Sequence, residues 1–442
     1  MFGVWRKFKA FFGHRLILEL AMIGSFIALV TNPGSLGDIM RICGAIFLFN
    51  VLIGNYRIGD VTEGHLVVLG IFLIMLIVNA FMPDEMIHRR SFRYFLAFPG
   101  MILAIHCLSK GIKPDSEKLL VYSCIVVLAV IFQLITYYTV ERVVNSGGLE
   151  SYGVYSNRHH FGSVASLFLP VIVYLAAQNK SWLRILGGAA VIVAFFLLWE
   201  SRSRISWLSF FSSVLIAAFV FLRDKKLLLA IAGIIAAAFT AAYVSGIAAI
   251  KSRITDIFVN WRTEERITVW MDTLRMLSDN SLNDWLLGHG IGSFRYYFSD
   301  YNTFKFNGVL QSWSFPHNFL FQIIFENGII GLLTILAGIA LLMIGLWRAY
   351  HLLVDKNDRY LLVTIFIIFW INFIHGALTL SFYHKYFIYP LSMTICISLI
   401  LFEKTGQNKP LKSLDWFQGF ANFLRDKMPV LNRWLPERKI DA

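Results

Sequence analysis

Long apolar runs alternate with short polar connections along most of the chain. Twelve runs are long enough to cross a hydrocarbon layer as helices, which takes about 20 residues. They lie at about 16–32, 38–55, 64–82, 93–109, 118–139, 162–178, 183–199, 205–222, 226–247, 328–347, 360–380 and 385–402. Backbone groups find no water inside lipid, so spanning segments are helices or closed barrels, and continuous apolar runs fit helices. The pattern predicts an all-α, polytopic membrane protein with about 12 transmembrane helices.

The spacing of these runs divides the chain into four parts. They are residues 1–247 with transmembrane helices 1–9 and an amphipathic start, a long loop at 248–316, transmembrane helices 10–12 at 317–403, and an amphipathic tail at 404–442. Inside the loop, apolar residues at helical spacing predict an amphipathic helix over 264–278. Both end segments mix aromatic and basic side chains, which is typical of helices lying on a membrane surface.

Composition agrees with this picture, since 57% of the residues are hydrophobic and only 15% are charged. Lys and Arg concentrate in the tails and in the connections on the same side, which predicts cytoplasmic termini and a periplasmic long loop. The net charge of +13 then reflects anchoring to membrane lipids and gives no reason to expect a nucleic acid. The four cysteines lie in apolar runs without CxxC spacing, so neither disulfides nor a metal site are predicted.

Four arginines lie in or beside the predicted outer connections: Arg158, Arg202, Arg204 and Arg266. A guanidinium group presents a planar set of N–H donors that matches phosphate oxygens, and it stays charged at any working pH. Several of them at the outer end of a helix bundle could hold a pyrophosphate. The alternative is that each one snorkels to the interface or is a solvated loop charge.

His317 is the second kind of candidate, because it starts the apolar stretch HNFLFQIIFENGIIG. Pro316 suits a first helical turn, and the positive end of a helix dipole opposes protonation of a nearby imidazole. A neutral imidazole could act as a general base, although a hydrogen-bonded interfacial histidine is the alternative. If one helix continues, Gly328 and Gly331 share the face of His317. In the other interpretation, Asn327-Gly328 breaks the helix and begins the next span.

Other motifs are weaker. The stretch GHGIGSF at 288–294 resembles a phosphate-binding loop, but no strand precedes it and no GK[ST] follows. We interpret it as a turn between loop helices. His289, His159 and His160 are alternative bases.

Several motifs in this order resemble the O-antigen ligase and polymerase superfamily of bacterial envelope glycosyltransferases. His317-Asn318 followed by Gly328 and Gly331 is similar to the H-[NSQ]-x9-G-x2-G pattern of the ligases. Further resemblances are Ser203-Arg204 with Leu208, Arg266 with Trp270, the stretch LLGHGIGSF, and Asn157 with Phe161-Gly162. The second arginine, Arg202, departs from the family pattern, and so does the missing proline before LLG.

The resemblance implies a GT-C-like architecture and a membrane glycosyltransferase in the bacterial inner membrane. Such an enzyme transfers a glycan from undecaprenyl pyrophosphate to lipid A–core at the periplasmic face, with inversion and with neither metal nor cofactor. By this resemblance His317 is the general base, Arg204 and Arg266 bind the pyrophosphate, and Arg202 and Arg158 assist. Asn318, Gly328, Gly331 and Trp270 support the site.

Three alternatives remain open from the sequence. A polymerase would lengthen a surface polysaccharide on its lipid carrier, and a protein O-oligosaccharyltransferase would use a protein hydroxyl as acceptor. A transporter of lipid-linked glycans should place ionisable residues near the bilayer midplane. Here the candidate charges cluster at the outer ends of the helices, which favours chemistry at one face.

Overall fold

The computed structural model describes residues 62–80, 158–178, 181–201, 203–221, 265–306, 309–311 and 313–407, with isolated positions at 95, 102 and between 226 and 240. Its helices are α1 (Glu63–Ala80), α2 (Arg158–Gln178), α3 (Ser181–Glu200), α4 (Arg204–Phe221), α5 (Glu265–Ser278), α6 (Leu282–Leu287), α7 (Phe294–Tyr301), α8 (Phe319–Leu352), α9 (Lys356–Leu378) and α10 (Lys385–Lys404). The protein is therefore mostly helical.

Five of these helices are long and apolar enough to cross a membrane: α1, α4, α8, α9 and the Tyr386–Lys404 part of α10. Shorter apolar stretches lie within α2 and α3. Each of these seven helices overlaps an apolar run that the sequence predicted as a span. The coarse prediction of a polytopic helical membrane protein is confirmed.

Other predictions fall outside the described residues. They concern the amphipathic start at 1–14, the tail beyond residue 407, the runs 16–32, 38–55 and 118–139, and most of 93–109 and 226–247. The count of 12 spans and the GT-C-like architecture therefore stay predictions.

The long loop contains the predicted amphipathic helix, which is present as α5. It also contains one feature that an all-α prediction missed, an antiparallel hairpin of β1 (Lys305–Phe306) and β2 (Val309–Leu310). The two strands flank the sequence Asn307-Gly308, a pair that favours tight hairpin turns. Two residues per strand are too few for the alternating pattern that identifies strands from sequence.

The helices pack so that one set of ends meets at the long loop. Helix α2 packs against α3, α4 and α9, whereas α1 and α6 pack against α8. Hydrogen bonds join the start of α2 to the starts of α4 and α5, and a further one joins the turn before α8 to the end of α9. We call this side of the bundle the loop end.

Candidate active site

His317 occupies a tight turn directly before α8. Its backbone φ is 54°, and among the described residues it alone combines a side chain with a positive φ. This backbone region is uncommon for residues with a Cβ, and such strain persists only where the surrounding structure holds it. The Asn318 side chain caps α8 by accepting two backbone N–H groups of the first turn. The expectation that Pro316 lies in a helical turn is wrong, because this cap begins the helix at Phe319.

The hydrogen bonding of His317 fixes its tautomer. Its Nδ1 lies 3.1 Å from the carbonyl oxygen of Thr379, which follows α9. A carbonyl oxygen only accepts, so Nδ1 carries the hydrogen and Nε2 carries the lone pair. Nε2 is buried and has no hydrogen-bond partner among the described residues. The arrangement leaves a proton-accepting nitrogen uncommitted.

The environment of His317 also keeps its ring neutral. Burial is the main cause that lowers its pKa from 6.5 to about 4, and the positive charge of Arg266 lowers it further. The hydrogen bond to Thr379 acts in the opposite direction. At neutral pH the imidazole therefore carries no charge and can accept a proton.

Aromatic side chains enclose this turn. The rings of Trp313 and Phe315 lie 4.8 and 4.5 Å, centroid to centroid, from the imidazole of His317. The indole Nε1 of Trp270 donates a hydrogen bond of 3.0 Å to the carbonyl of Pro316. Trp270 therefore ties α5, which carries Arg266, to the turn that carries His317.

Arg266 lies in the first turn of α5, and its Nη2 is 3.1 Å from Nε2 of His159 in the first turn of α2. The other ring nitrogen of His159 lies 3.2 Å from the hydroxyl of Ser203. Ser203 directly precedes Arg204, the first residue of α4. Arg266 and the start of α4 are thus joined through one imidazole.

Of the three other predicted arginines, one has a side chain among the described residues. Arg204 starts α4 and is partly buried. Arg158 starts α2, but its side chain lies outside the described residues, as does Arg202 entirely. Their predicted contacts with a pyrophosphate stay predictions.

The glycines of the predicted motif meet the GHGIGSF stretch. Gly328 has φ 64° and ψ −172°, so it breaks α8, and the continuous-helix interpretation is wrong. A Cβ at Gly328 would lie 2.2 Å from the carbonyl oxygen of Leu286, and one at Gly288 would lie 2.5 Å from the backbone nitrogen of Asn327. Two backbones therefore touch here, which requires glycine on both sides. Gly331 lies one turn further, where a Cβ would meet the Asn327 side chain.

A buried polar network fixes the same junction. Asn327 accepts from Asn79 of α1 at 2.7 Å and donates to the hydroxyl of Tyr383 at 2.9 Å. Asn79 also accepts from the backbone N–H of Ile291 at 2.8 Å. The Glu326 carboxylate turns to the same stretch, accepting backbone N–H groups of Gly292 and Phe294, and forms no dyad with His317. These bonds attach the GHGIGSF turn to the helix that follows His317.

GHGIGSF is a turn between α6 and α7, as predicted. The His289 side chain within it is held by its neighbours: its Nε2 lies 3.0 Å from the Asn280 side-chain oxygen, and its ring stacks on Phe325 at 4.5 Å. Burial lowers its pKa despite the nearby Asp284 carboxylate. The contacts assign His289 to packing.

The sequence model of the family described as O-antigen ligase matches residues 189–336. This segment of the chain is similar to the O-antigen ligase family, and the match supports assigning it there. No curated protein matches it at a significant level.

The O-antigen ligase segment starts inside α3 and ends inside α8. It therefore includes Arg204, Arg266 and His317 and both motif glycines of α8. It excludes His159 and Thr379, which hydrogen-bond to Arg266 and His317. The family match thus covers the predicted reactive side chains but only part of their surroundings.

Two contributions escaped the sequence analysis. Thr379 acts through its backbone carbonyl, which every residue has, so no sequence signal could identify it. His159 was visible as a candidate base in SNRHHFG, but its contact with Arg266 depends on how α2 packs.

Among the described residues, no three His, Cys, Asp or Glu side chains group in a way that could hold a metal ion.

Proposed function

We propose that this protein transfers a glycan from undecaprenyl pyrophosphate to a sugar hydroxyl of lipid A–core. The observation that carries the proposal is the state of His317. Its Nδ1 is committed to the Thr379 carbonyl, and its buried Nε2 is uncommitted beside the charge of Arg266. A neutral imidazole with an available Nε2 is the arrangement that a general base needs.

The reaction balances in one displacement step. Nε2 of His317 takes the proton of the acceptor hydroxyl as its oxygen attacks the anomeric carbon of the donor sugar. The bond between that carbon and the pyrophosphate oxygen breaks, and undecaprenyl pyrophosphate leaves with the electron pair. Attack opposite to the leaving group inverts the anomeric configuration.

Arginines supply the positive charge in this proposal. Arg266 and Arg204 bind the pyrophosphate oxygens and stabilise the negative charge that grows as the bond breaks. A pyrophosphate bound at Arg266 would cancel part of the charge that depresses the pKa of His317. Donor binding would therefore strengthen the base before the acceptor hydroxyl reaches it.

The position of the site supports catalysis at one membrane face. His159, Ser203 and Arg266 lie in or beside connections that the sequence analysis assigns to the outer side of the membrane, and hydrogen bonds join these three residues at the loop end. His317 and Thr379 are hydrogen-bonded to each other at the same end, and Trp270 ties the turn of His317 to the helix of Arg266. We propose that this end faces the periplasm of the inner membrane, with both termini in the cytoplasm. Both lipid-linked substrates would then meet the site from within the bilayer.

The identity of the acceptor is tested by measuring glycan transfer with purified protein in proteoliposomes. We expect glycan from the lipid-linked donor to appear on lipid A–core when that is the acceptor supplied. A parallel reaction offers a second lipid-linked glycan instead. Product only in the second reaction would replace the ligase proposal by a polymerase, and product in neither would remove both.

Arginine variants test the charge stabilisation. We expect Arg266→Ala and Arg204→Ala each to reduce transfer on the order of 100-fold, as loss of a single transition-state donor does elsewhere. Lysine at either position should restore little of the transfer rate, because it lacks the planar pair of N–H donors. The measurement is the initial rate of transfer in proteoliposomes.

Arg275→Ala is the matched control, since Arg275 lies on the same helix with a side chain that is 62% exposed and paired with Asp272. Its rate should equal that of the unmodified protein. Full activity of both lysine variants would mean that the shape of the guanidinium group is irrelevant.

A further inference from the structure

The imidazole of His159 bridges two elements of the candidate site. Its Nε2 lies 3.1 Å from Nη2 of Arg266, and its Nδ1 lies 3.2 Å from the hydroxyl of Ser203. Arg266 belongs to the long loop, whereas Ser203 belongs to the turn before α4. His159 therefore connects the loop arginine to the helix bundle.

Elementary hydrogen-bond chemistry determines the tautomer of this bridge. A guanidinium group has five N–H donors and no acceptor, so Nε2 of His159 accepts with its lone pair. The ring hydrogen is then on Nδ1 and points to the Ser203 oxygen. That oxygen also accepts from the Ser206 hydroxyl at 2.8 Å, which fixes it at the start of α4. The lone pair of His159 is occupied, so His159 is not a second base.

A close helix contact sets the position of the bridge. A Cβ at Gly162 would lie 2.3 Å from the Ser206 hydroxyl oxygen and 2.9 Å from that of Ser201. The absence of a side chain at Gly162 therefore lets the first turn of α2 approach the turn before α4. His159 lies in that same first turn. This contact gives a structural reason for a glycine three residues after His159. Both residues lie outside the family match.

We propose that His159 is the positioning residue of Arg266, and that it fixes the guanidinium group for the pyrophosphate of the donor. The inference rests on the proposed function, because it assumes that Arg266 binds this pyrophosphate. A free arginine side chain loses rotamer entropy when it is ordered by a ligand, so a side chain that is already fixed binds more tightly. A neutral imidazole orients the guanidinium and leaves its positive charge in place. A carboxylate in the same position would cancel that charge.

Two substitutions separate the roles of the two ring nitrogens. In His159→Gln, the side-chain oxygen can reach the position of Nε2 and accept from Arg266. In His159→Asn, the shorter amide can donate to Ser203 from the position of Nδ1 but does not reach Arg266. The proposal therefore predicts function in the glutamine variant and loss in the asparagine variant.

The test measures binding of undecaprenyl pyrophosphate to the purified full-length protein in nanodiscs. We expect His159→Asn to weaken binding about tenfold, the size of effect that one hydrogen bond to a charged group gives. His159→Gln should stay within about threefold, and Arg275→Ala should bind as the unmodified protein does. Thermal unfolding of each variant checks that the fold is retained.

A double-mutant cycle distinguishes positioning from general packing. In the Arg266→Ala background, His159→Asn should have no further effect on binding, because its partner is already gone. An additive loss would mean that His159 acts independently of Arg266 and would overturn the inference. Equal losses in the asparagine and glutamine variants would overturn it as well, since the accepting atom would then be irrelevant.

The outcomes keep the two proposals apart. Normal binding by Arg266→Ala contradicts the proposed pyrophosphate site itself. Weak binding by Arg266→Ala together with normal binding by His159→Asn leaves the proposed function standing and removes only the inference. If His159→Asn does not fold, Ser203→Ala takes its place, because it removes the acceptor that holds the hydrogen on Nδ1. Unchanged binding by Ser203→Ala would then count against the bridge.

Discussion

We expect His317→Asn to lower the rate of glycan transfer by about 100- to 10 000-fold, the range that general bases contribute. Asparagine is the sharpest substitution for two reasons. It tolerates the positive φ of 54° better than alanine does, and its amide can still donate to the Thr379 carbonyl. What it lacks is the Nε2 lone pair. The loss of rate therefore reports on proton transfer rather than on folding.

Donor binding is the control for this variant. His317→Asn should bind undecaprenyl pyrophosphate within about threefold of the unmodified protein, because in the proposed mechanism the arginines and not the base hold the pyrophosphate. Transfer at the normal rate by His317→Asn would end the general-base proposal. His289→Ala gives a useful comparison, since His289 packs on Phe325 and takes no part in the proposed chemistry.

The pH dependence follows from the same group. Burial and Arg266 hold the pKa of His317 at about 4 in the free protein, so the ring protonates only as the pH falls toward that value. The second-order rate constant for the donor should therefore lose its His317-dependent part below about pH 5 and not between about pH 6 and 8. With donor bound, the fall in the rate of transfer should occur at higher pH, because in the proposed mechanism the pyrophosphate offsets the charge of Arg266. If the rate of the asparagine variant still falls at low pH, that fall belongs to the titration of another group.

Gly328→Ala should lower the free energy of unfolding by about 2–5 kcal/mol, because it combines backbone strain with overpacking. Its φ of 64° disfavours any side chain, and the new Cβ would lie 2.2 Å from the Leu286 carbonyl oxygen. A backbone atom cannot move aside as a side chain can. The loop segment of α6 and the GHGIGSF turn should then detach from α8.

Two measurements follow this detachment. Thermal unfolding of the purified protein gives the loss of stability, and limited proteolysis should cleave the 282–301 segment faster in the variant. Gly70→Ala is the matched control, since Gly70 lies in α1 and a Cβ there would meet no atom within 4 Å. That variant should be neutral or slightly stabilised by the better helix propensity of alanine. Equal stability of Gly328→Ala and the control would refute the backbone contact.

The sequence alone determined most of the local structure. Continuous apolar runs predicted the helices, because each run must satisfy its own backbone groups wherever it crosses lipid. Helical spacing of apolar residues predicted α5, and the lack of a preceding strand and of a following GK[ST] favoured a turn at GHGIGSF, which the structure confirms. The motif also pointed to Gly328, although not to whether it continues or breaks α8. The hairpin at 305–310 was missed because its strands have only two residues each.

The tertiary structure decided which residues meet. Arg266 and His159 are 107 residues apart along the chain, and His317 and Thr379 are 62 apart, so neither pair leaves a local pattern. Thr379 contributes a carbonyl that its side chain does not encode. The Gly288 to Gly328 contact likewise depends on how the loop folds back on α8. Local periodicity fixes helices because their hydrogen bonds are local, whereas a site built from four connections exists only once the helices have packed.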